Sequence, residues 1–411
     1  MDLTLLIFLV VYLAMGLGKL PGFKVDRTGA AVVGALAMMA AGSITAKAAW
    51  GAIDYHSLAM LFGLMVVSGA FAVSGFYGWT AHRVASLPVS PAALLAVLVA
   101  VGGLLSAVLT NDVVVVAMTP LLVSVTLARR LNPVPFLLAF CFAANTGSAG
   151  TLIGSPQNMI AAQELGLSFT GFLTAAGLPA LLSLPIVWGV IAWLYRGRWT
   201  LAQQPGDAPR SSTMAPVMLD KGETAKALLV TLAVVVAFVS DAWPRDLVAL
   251  TAAGVLLINR QIASSDVLKQ VDGNLLLLVM GLFVVNAAMA ATGLPQTLLG
   301  DLRAAGFDLN DPMALFFASA VLSNVVGNNP AVMLLVPFLE PGANANALGA
   351  ALALGTGFSS NLIVFGSLAG IIVVEQSAAC GIRISFATFA RAGVPVAVAC
   401  MVLAAAWIAI L

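Results

Sequence analysis

Apolar residues in this chain come in long blocks with little polar interruption. Blocks at 3–20, 28–42, 57–75 and 170–195 read as membrane spans. FYGWTAHRVAS at 76–86 mixes aromatics with Arg83 and reads as a segment lying along an interface. The block 91–131 is interrupted by Thr110-Asn111-Asp112, and the block 134–165 holds AANTGSAGT at 143–151. One long hydrophilic stretch, 196–223, divides the chain. Beyond it the order recurs. Spans fall at 225–240, 247–259 and 274–293, followed by a block at 312–339 broken at Gly327-Asn328-Asn329. A second broken block covers 346–377, and a last span covers 389–411.

The halves are a sequence repeat. Asp54, Gly63 and Gly75 match Asp272, Gly281 and Gly293 at an offset of 218, and Ser106, Asn111 and Pro120 match Ser323, Asn328 and Pro337 at 217. LSF at 167–169 answers ISF at 384–386, AGLP at 176–179 answers AGVP at 392–395, and Gly154-Ser155 answers Gly366-Ser367 after a small indel. The expected fold is therefore an all-α polytopic membrane protein of two repeats, 1–196 and 223–411, joined by a linker at 197–222. Each repeat is expected to hold five transmembrane helices, one re-entrant helical hairpin and one discontinuous helix. Five crossings is an odd number, so the repeats have opposite topology, an architecture of secondary transporters. With the linker cytoplasmic and both termini periplasmic, all of the 18 Lys and Arg except Lys47, Arg245 and Arg303 fall on the cytoplasmic side.

Composition agrees. The 411 residues are 61% hydrophobic and 9% charged, against ~25% charged in soluble domains. So few charges cannot cover a water-exposed surface, and lipid is the expected solvent. A net charge of +1 without a basic stripe points away from nucleic acid. Cys141, Cys380 and Cys400 lie in apolar runs as small hydrophobes, and with only His56 and His82 beside them no zinc site is expected. The N-terminus lacks a basic n-region and a small-residue cleavage site, so 3–20 reads as a retained span.

In hydrocarbon an unpaired backbone group costs several kcal/mol, so helices break only where function offsets the loss. Four breaks are expected, two per half: 110–112, 145–150, 327–329 and 355–361. Their Gly, Ser, Thr and Asn residues offer carbonyls to cations and helix N-termini to anions. Ser106 and Thr110 share a helix face, and with Asn111, Asp112 and Gly147 they form a candidate hard-cation site. Ser323 and Asn328 are the counterparts in the second half. Asp112 is the telling member, since a carboxylate at membrane depth is costly and is kept for ions or protons. The competing account is that Asn111 and Asp112 merely cap the half-helices. Candidate solute contacts are Asn111, Asp112, Asn145, Thr146, Ser148, Thr151, Asn328, Asn329, Thr356, Ser359, Ser360 and Asn361. Gly147 and Gly357 are expected to admit ion or solute because they lack a Cβ. Glu164 and Glu375 read as carboxylates reaching toward water, and Pro120 and Pro337 as kinks in the returning arms.

LLSAVLTNDVVVVAMTPLL (104–122), NTGSAGTLIGSPQNMI (145–160) and VVGNNPAVMLLVPFL (325–339) resemble the ion transporter superfamily. That group holds the arsenite/antimonite permeases, the divalent anion/sodium symporters and some sodium/proton antiporters. AIDYHSLAMLFGLMVVSGAFAVSGF (52–76) is most similar to the bacterial anion-permease branch with a citrate-transporter-like domain. The resemblance implies that each hairpin and its neighbouring broken helix form a transport domain, with the other helices as scaffold. It also implies Ser-Asn-Thr hairpin tips, sodium held by the Ser and Asn, and substrate carboxylate touched by the Asn and Thr. Here the tips are Thr110-Asn111-Asp112 and Gly327-Asn328-Asn329. A fixed anion beside an anionic substrate repels it, and these tips look more like the arsenite-permease side.

The function expected from these readings is ion-coupled (Na⁺ or H⁺) secondary transport of a small anion or oxyacid across a bacterial inner membrane. The class spans dicarboxylate, inorganic anion and arsenite-type solutes. The expected partners are that anion, a coupling cation and the bilayer, with a homodimer left open and no cofactor beyond a bound Na⁺. The alternative is a Na⁺/H⁺ antiporter titrating at Asp112. A channel fits poorly with two unequal, discontinuous sites. An intramembrane protease would need a Ser–His pair or two facing Asp at depth, and no GxxxxGK[ST] motif supports ATP coupling within the chain.

Overall fold

The computed structural model describes residues 3–200, 218–340, 342 and 344–411, so 201–217 of the linker lies outside the described residues. Among those described the chain is helical, and its β content is two isolated bridges. The first half runs α1 (Leu3–Leu17), α2 (Arg27–Ala40), α3 (Ala46–Ala52), α4 (Tyr55–Val73), α5 (Phe76–Ala85), α6 (Pro91–Val108) and α7 (Asn111–Ala128). It continues with α8 (Pro133–Ser148), α9 (Pro156–Glu164) and α10 (Phe169–Phe172), which passes through a π-turn into α11 (Leu178–Leu194). The second half runs α12 (Lys221–Ser240), α13 (Arg245–Leu257), α14 (Ser264–Leu268), α15 (Gly273–Ala290), α16 (Leu294–Ala304) and α17 (Pro312–Val326). It ends with α18 (Asn328–Leu335), α19 (Ala345–Ser359), α20 (Leu368–Ala379) and α21 (Phe386–Ile408). Among the described residues, seven helices or continuous helical stretches are long and apolar enough to cross a membrane, and five shorter apolar helices accompany them.

Local chemistry repeats with the elements. Asp54 and Asp272 are N-caps of α4 and α15, and each accepts bonds from the first-turn amides. Gly75 and Gly293 turn the chain into α5 and α16 with φ of 79° and 73°, a left-handed conformation that glycine adopts without steric cost. The central packing is crosswise, α4 on α13 and α2 on α15. A Cβ on Gly63 would lie 2.5 Å from the Ala249 carbonyl carbon, and one on Gly281 would lie 2.7 Å from that of Ala31. Small residues bring these backbones together, which is how helices associate where lipid removes the hydrophobic drive.

The reversals after α6 and α17 fall where expected, at Leu109–Thr110 and Gly327. The other two breaks do not. Asn145, Thr146, Gly147 and Ser148 are the last turn of α8, and the chain leaves the helix at 149–155. Thr356, Gly357 and Ser359 likewise belong to α19, and the break runs 360–367. The polar side chains did not stop these helices because they bond back along them, Ser148 to the Asn145 carbonyl and Thr356 to the Leu352 carbonyl. Pro120 sits inside a continuing α7, whereas Pro337 lies in the tight turn that ends the shorter second arm.

Candidate functional site

Six helices begin at one place. The first turns of α2, α7, α9, α15, α18 and α20 all contribute to the wall of a ≈ 250 Å³ cavity. Each start carries amides with no partner inside its own helix and the positive end of its dipole. The two reversals deliver Asn111 and Asp112 from one half and Asn328 and Asn329 from the other, so the two tips meet across the cavity. Sequence reasoning missed Arg27, Thr28, Gln157, Asp272, Asn274 and Ser367, which share this wall. Asp272 and Ser367 had been visible as repeat matches, but nothing in one dimension placed α2 and α15 beside the hairpin tips.

Charge in the cavity is mixed, with Asp112 and Asp272 against Arg27. The Arg27 Nε donates to the Met15 carbonyl at 2.8 Å, in the last turn of α1. That bond aligns the guanidinium with a helix C-terminus, where a cation is favoured. Asp112 accepts no hydrogen bond among the described residues, and Thr110, at the N-cap of α7, makes no side-chain capping bond. The capping account of this tip therefore lacks the bonds it requires.

Behind the first tip lies a buried group of oxygens. Ser106 Oγ, Thr110 Oγ1 and Asn111 Oδ1 have no hydrogen-bond partner among the described residues, and all three side chains are at least nine-tenths buried. The Thr110 amide, which would continue α6 by bonding the Ser106 carbonyl, donates to Ser68 Oγ at 2.9 Å instead. A buried polar atom without a partner costs free energy and calls for a ligand or a reason.

The remaining expected site residues form a seam between the two broken helices. Asn145 Nδ2 donates to Asn361 Oδ1 at 3.0 Å and to Ser367 Oγ at 3.0 Å, while Asn361 Nδ2 donates to Thr146 Oγ1 at 3.2 Å. Thr151 bonds the Ala107 carbonyl and receives the Gly154 amide. Asn145, Thr146, Ser148, Thr151, Thr356, Ser359, Ser360 and Asn361 do not line the cavity. They hold the breaks together, with Asn145 one bond behind the cavity through Ser367. Gly147 packs against Gly103, whose carbonyl oxygen a Cβ would meet at 2.2 Å, so its missing side chain admits a helix. Glu164 and Glu375 are exposed and away from the cavity.

A family model described as citrate transporter matches residues 10–357. The chain is 29% identical to an uncharacterised transporter of Mycobacterium tuberculosis, over 98% of each chain. It is also 34% identical to a silicon efflux transporter of Oryza sativa subsp. japonica, over 40% of this chain and 34% of that one. Among solved structures it is similar to the YdaH transporter of Alcanivorax borkumensis, with a TM-score of 0.60 and 17% identity, covering 99% of this chain and 97% of that one. At that identity the likeness shows the fold alone.

Proposed function

Since the chain belongs to the citrate transporter family, and is thus a membrane transporter and not an enzyme, we propose that it carries a small anion or oxyacid in exchange for the energy of a Na⁺ or H⁺ gradient. The observation that carries this reading is the cavity where both hairpin tips meet, backed at the first tip by three buried, unpartnered oxygens. Those oxygens and Asp112 would hold the coupling cation. The solute would sit among Asn111, Asp112, Asn328, Asn329 and Arg27. The helix starts attract oxygen-rich groups, yet two carboxylates against one guanidinium repel a highly charged anion. A weakly charged oxyacid fits this balance better than a di- or tricarboxylate, and the silicon transporter among the relatives is in keeping with it.

The repeats would act as opposed mouths. Arg27, Thr28, Asp272 and Asn274 line the cavity, while the positions one repeat away are Arg245, Asp246, Asp54 and His56. There His56 Nδ1 lies 2.7 Å from Asp246 Oδ2. In an alternating-access cycle this pair would help close the counterpart face while the cavity face is open.

Purified protein in liposomes, offered arsenite, silicic acid, phosphate, sulfate, succinate and citrate with and without Na⁺ and pH gradients, tests this proposal. Gradient-dependent uptake of an uncharged or singly charged oxyacid is expected. Uptake confined to the carboxylates would overturn the charge argument, and Na⁺/H⁺ exchange without any solute would favour the antiporter reading.

Orientation has its own test. Cys380 is exposed, whereas Cys141 and Cys400 are buried. With the linker cytoplasmic, Cys380 falls on the cytoplasmic side, so a membrane-impermeant maleimide should label the unaltered protein in inside-out vesicles and not in right-side-out ones. The reverse pattern would turn the proposed topology over.

A further inference from the structure

The helices beside the two hairpins, α4 and α15, each reach a hairpin through a polar side chain. Ser68 on α4 and Asn286 on α15 are repeat positions, at the offset of 218 that also pairs Gly63 with Gly281. Yet they grip different parts of the equivalent hairpins. Ser68 Oγ accepts the Thr110 amide at 2.9 Å, at the first reversal. Asn286 Nδ2 donates to the Met333 carbonyl at 3.0 Å, in the arm that returns from the second reversal. The Tyr12 hydroxyl donates to Asn286 Oδ1 at 2.8 Å and orients that amide. Thr110 corresponds to Gly327, so the second grip lies six residues further along its hairpin than the first, about 9 Å in a helix.

The prolines of the returning arms account for where Asn286 binds. A helical carbonyl is bonded by the amide four residues on, and proline has no N–H to give. Pro337 thus frees the Met333 carbonyl, and its repeat partner Pro120 frees that of Val116. Met333 and Val116 are themselves repeat positions, at an offset of 217. Met333 is 3% exposed and bonded to α15, whereas Val116 is 41% exposed. With the repeats opposed, as proposed above, one shift of both hairpins toward the same face produces this difference. It brings the first tip level with Ser68 and carries the second tip past Asn286.

We infer that Ser68 and Asn286 are positioning residues that hold the hairpins at either of two heights on α4 and α15. Each takes the tip amide of its own hairpin at one height and the proline-freed carbonyl at the other. A hydroxyl and a carboxamide suit the task because each can both accept and donate. At the opposite height Ser68 would donate to the Val116 carbonyl, and Asn286 Oδ1 would accept the Gly327 amide. The two kinds of bond do not weigh equally. A tip amide has an alternative within its helix, since the Gly327 amide here donates to the Ser323 carbonyl at 2.8 Å. A freed carbonyl has lost its helical donor, and leaving it unpaired is the greater loss. Asn286 and Pro337 therefore favour the height in this structure, and Ser68 and Pro120 favour the opposite one. The inference rests on the proposal that the repeats act as opposed mouths.

The test reads the two heights as distances between spin labels in the purified full-length protein in lipid nanodiscs. Labels go on Lys47→Cys, before α4 begins, and Ala128→Cys, where α7 ends; both positions are exposed, and exposed Cys380 is replaced by Ser. Two distances are expected by pulsed double resonance. Asn286→Ala and Pro337→Ala should each shift their ratio by about threefold or more away from the distance in this structure, the effect of one hydrogen bond. Ser68→Ala and Pro120→Ala should each shift it toward that distance. Combining Pro120→Ala with Pro337→Ala should return the ratio near the parent's. Alanine is the best helix former, so the proline variants should fold. A merely structural role for these residues leaves the ratio unmoved. Both prolines shifting it the same way, or neither shifting it, would overturn the inference and leave the opposed mouths standing. A single distance in the parent and in all four single variants would overturn both.

Discussion

Asp112→Asn should abolish coupling and leave a folded protein. The substitution makes the two tips alike in charge, since Asn329 already stands at the equivalent position, and it changes shape very little. Solute uptake driven by an imposed ion gradient should fall at least about tenfold, the equivalent of ~1.4 kcal/mol. Its dependence on the cation should flatten. The physical reason is that Asp112 faces the cavity free of any backbone bond among the described residues, beside three unpartnered oxygens. Its charge is thus available to an ion and is not used to hold a helix end. Folding should survive, because a neutral amide is cheaper than a carboxylate at membrane depth. Asn caps helices as well as Asp does, so a purely structural role predicts parental transport. Flux measured in proteoliposomes separates the two, and unchanged coupling in the Asn variant would remove Asp112 from the site.

The second large effect is expected at Gly147, and it is on stability. A Cβ there would lie 2.7 Å from the Gly103 Cα and closer still to its carbonyl oxygen, so Gly147→Leu must force α8 away from α6. Overpacking a well-filled site costs roughly 1–3 kcal/mol, and more where the clash is with backbone. The apparent Tm in detergent should fall sharply and the monodisperse fraction shrink, with or without Na⁺. A variant that stays folded yet inactive would instead mark a glycine facing ion or solute, the role its polar neighbourhood first suggests. Leu at Gly357, against the Ala149 side chain and the Asn145 carbonyl oxygen, should act in the same direction.

Much of the helical plan is determined by the sequence alone, because lipid leaves the chain so few choices. Spans are long apolar blocks, and the turns carry their own chemistry, as the Asp54 and Asp272 caps and the positive-φ glycines Gly75 and Gly293 do. Reversals at 109–110 and 327 are equally local, since the Ser-x-x-x-Thr-Asn-Asp and Ser-x-x-x-Gly-Asn-Asn strings end one helix and start the next. The exact ends of the broken helices were not local. Polar residues at 145–148 and 356–359 can either unwind a helix or bond back to it, and packing of α8 on α6 and α19 on α17 decided for the helix. Which polar groups face solute was likewise settled only in three dimensions. Arg27 and Asp272 carry no motif, and they reach the cavity because the crosswise packing of α2 on α15 brings their first turns beside the tips. The same packing sends Asn145 and Asn361, equally good candidates by type, into a seam with each other. Composition fixes what groups a membrane protein has to spend on a site; helix packing fixes which of them are left unpaired, and unpaired groups are the ones that can bind.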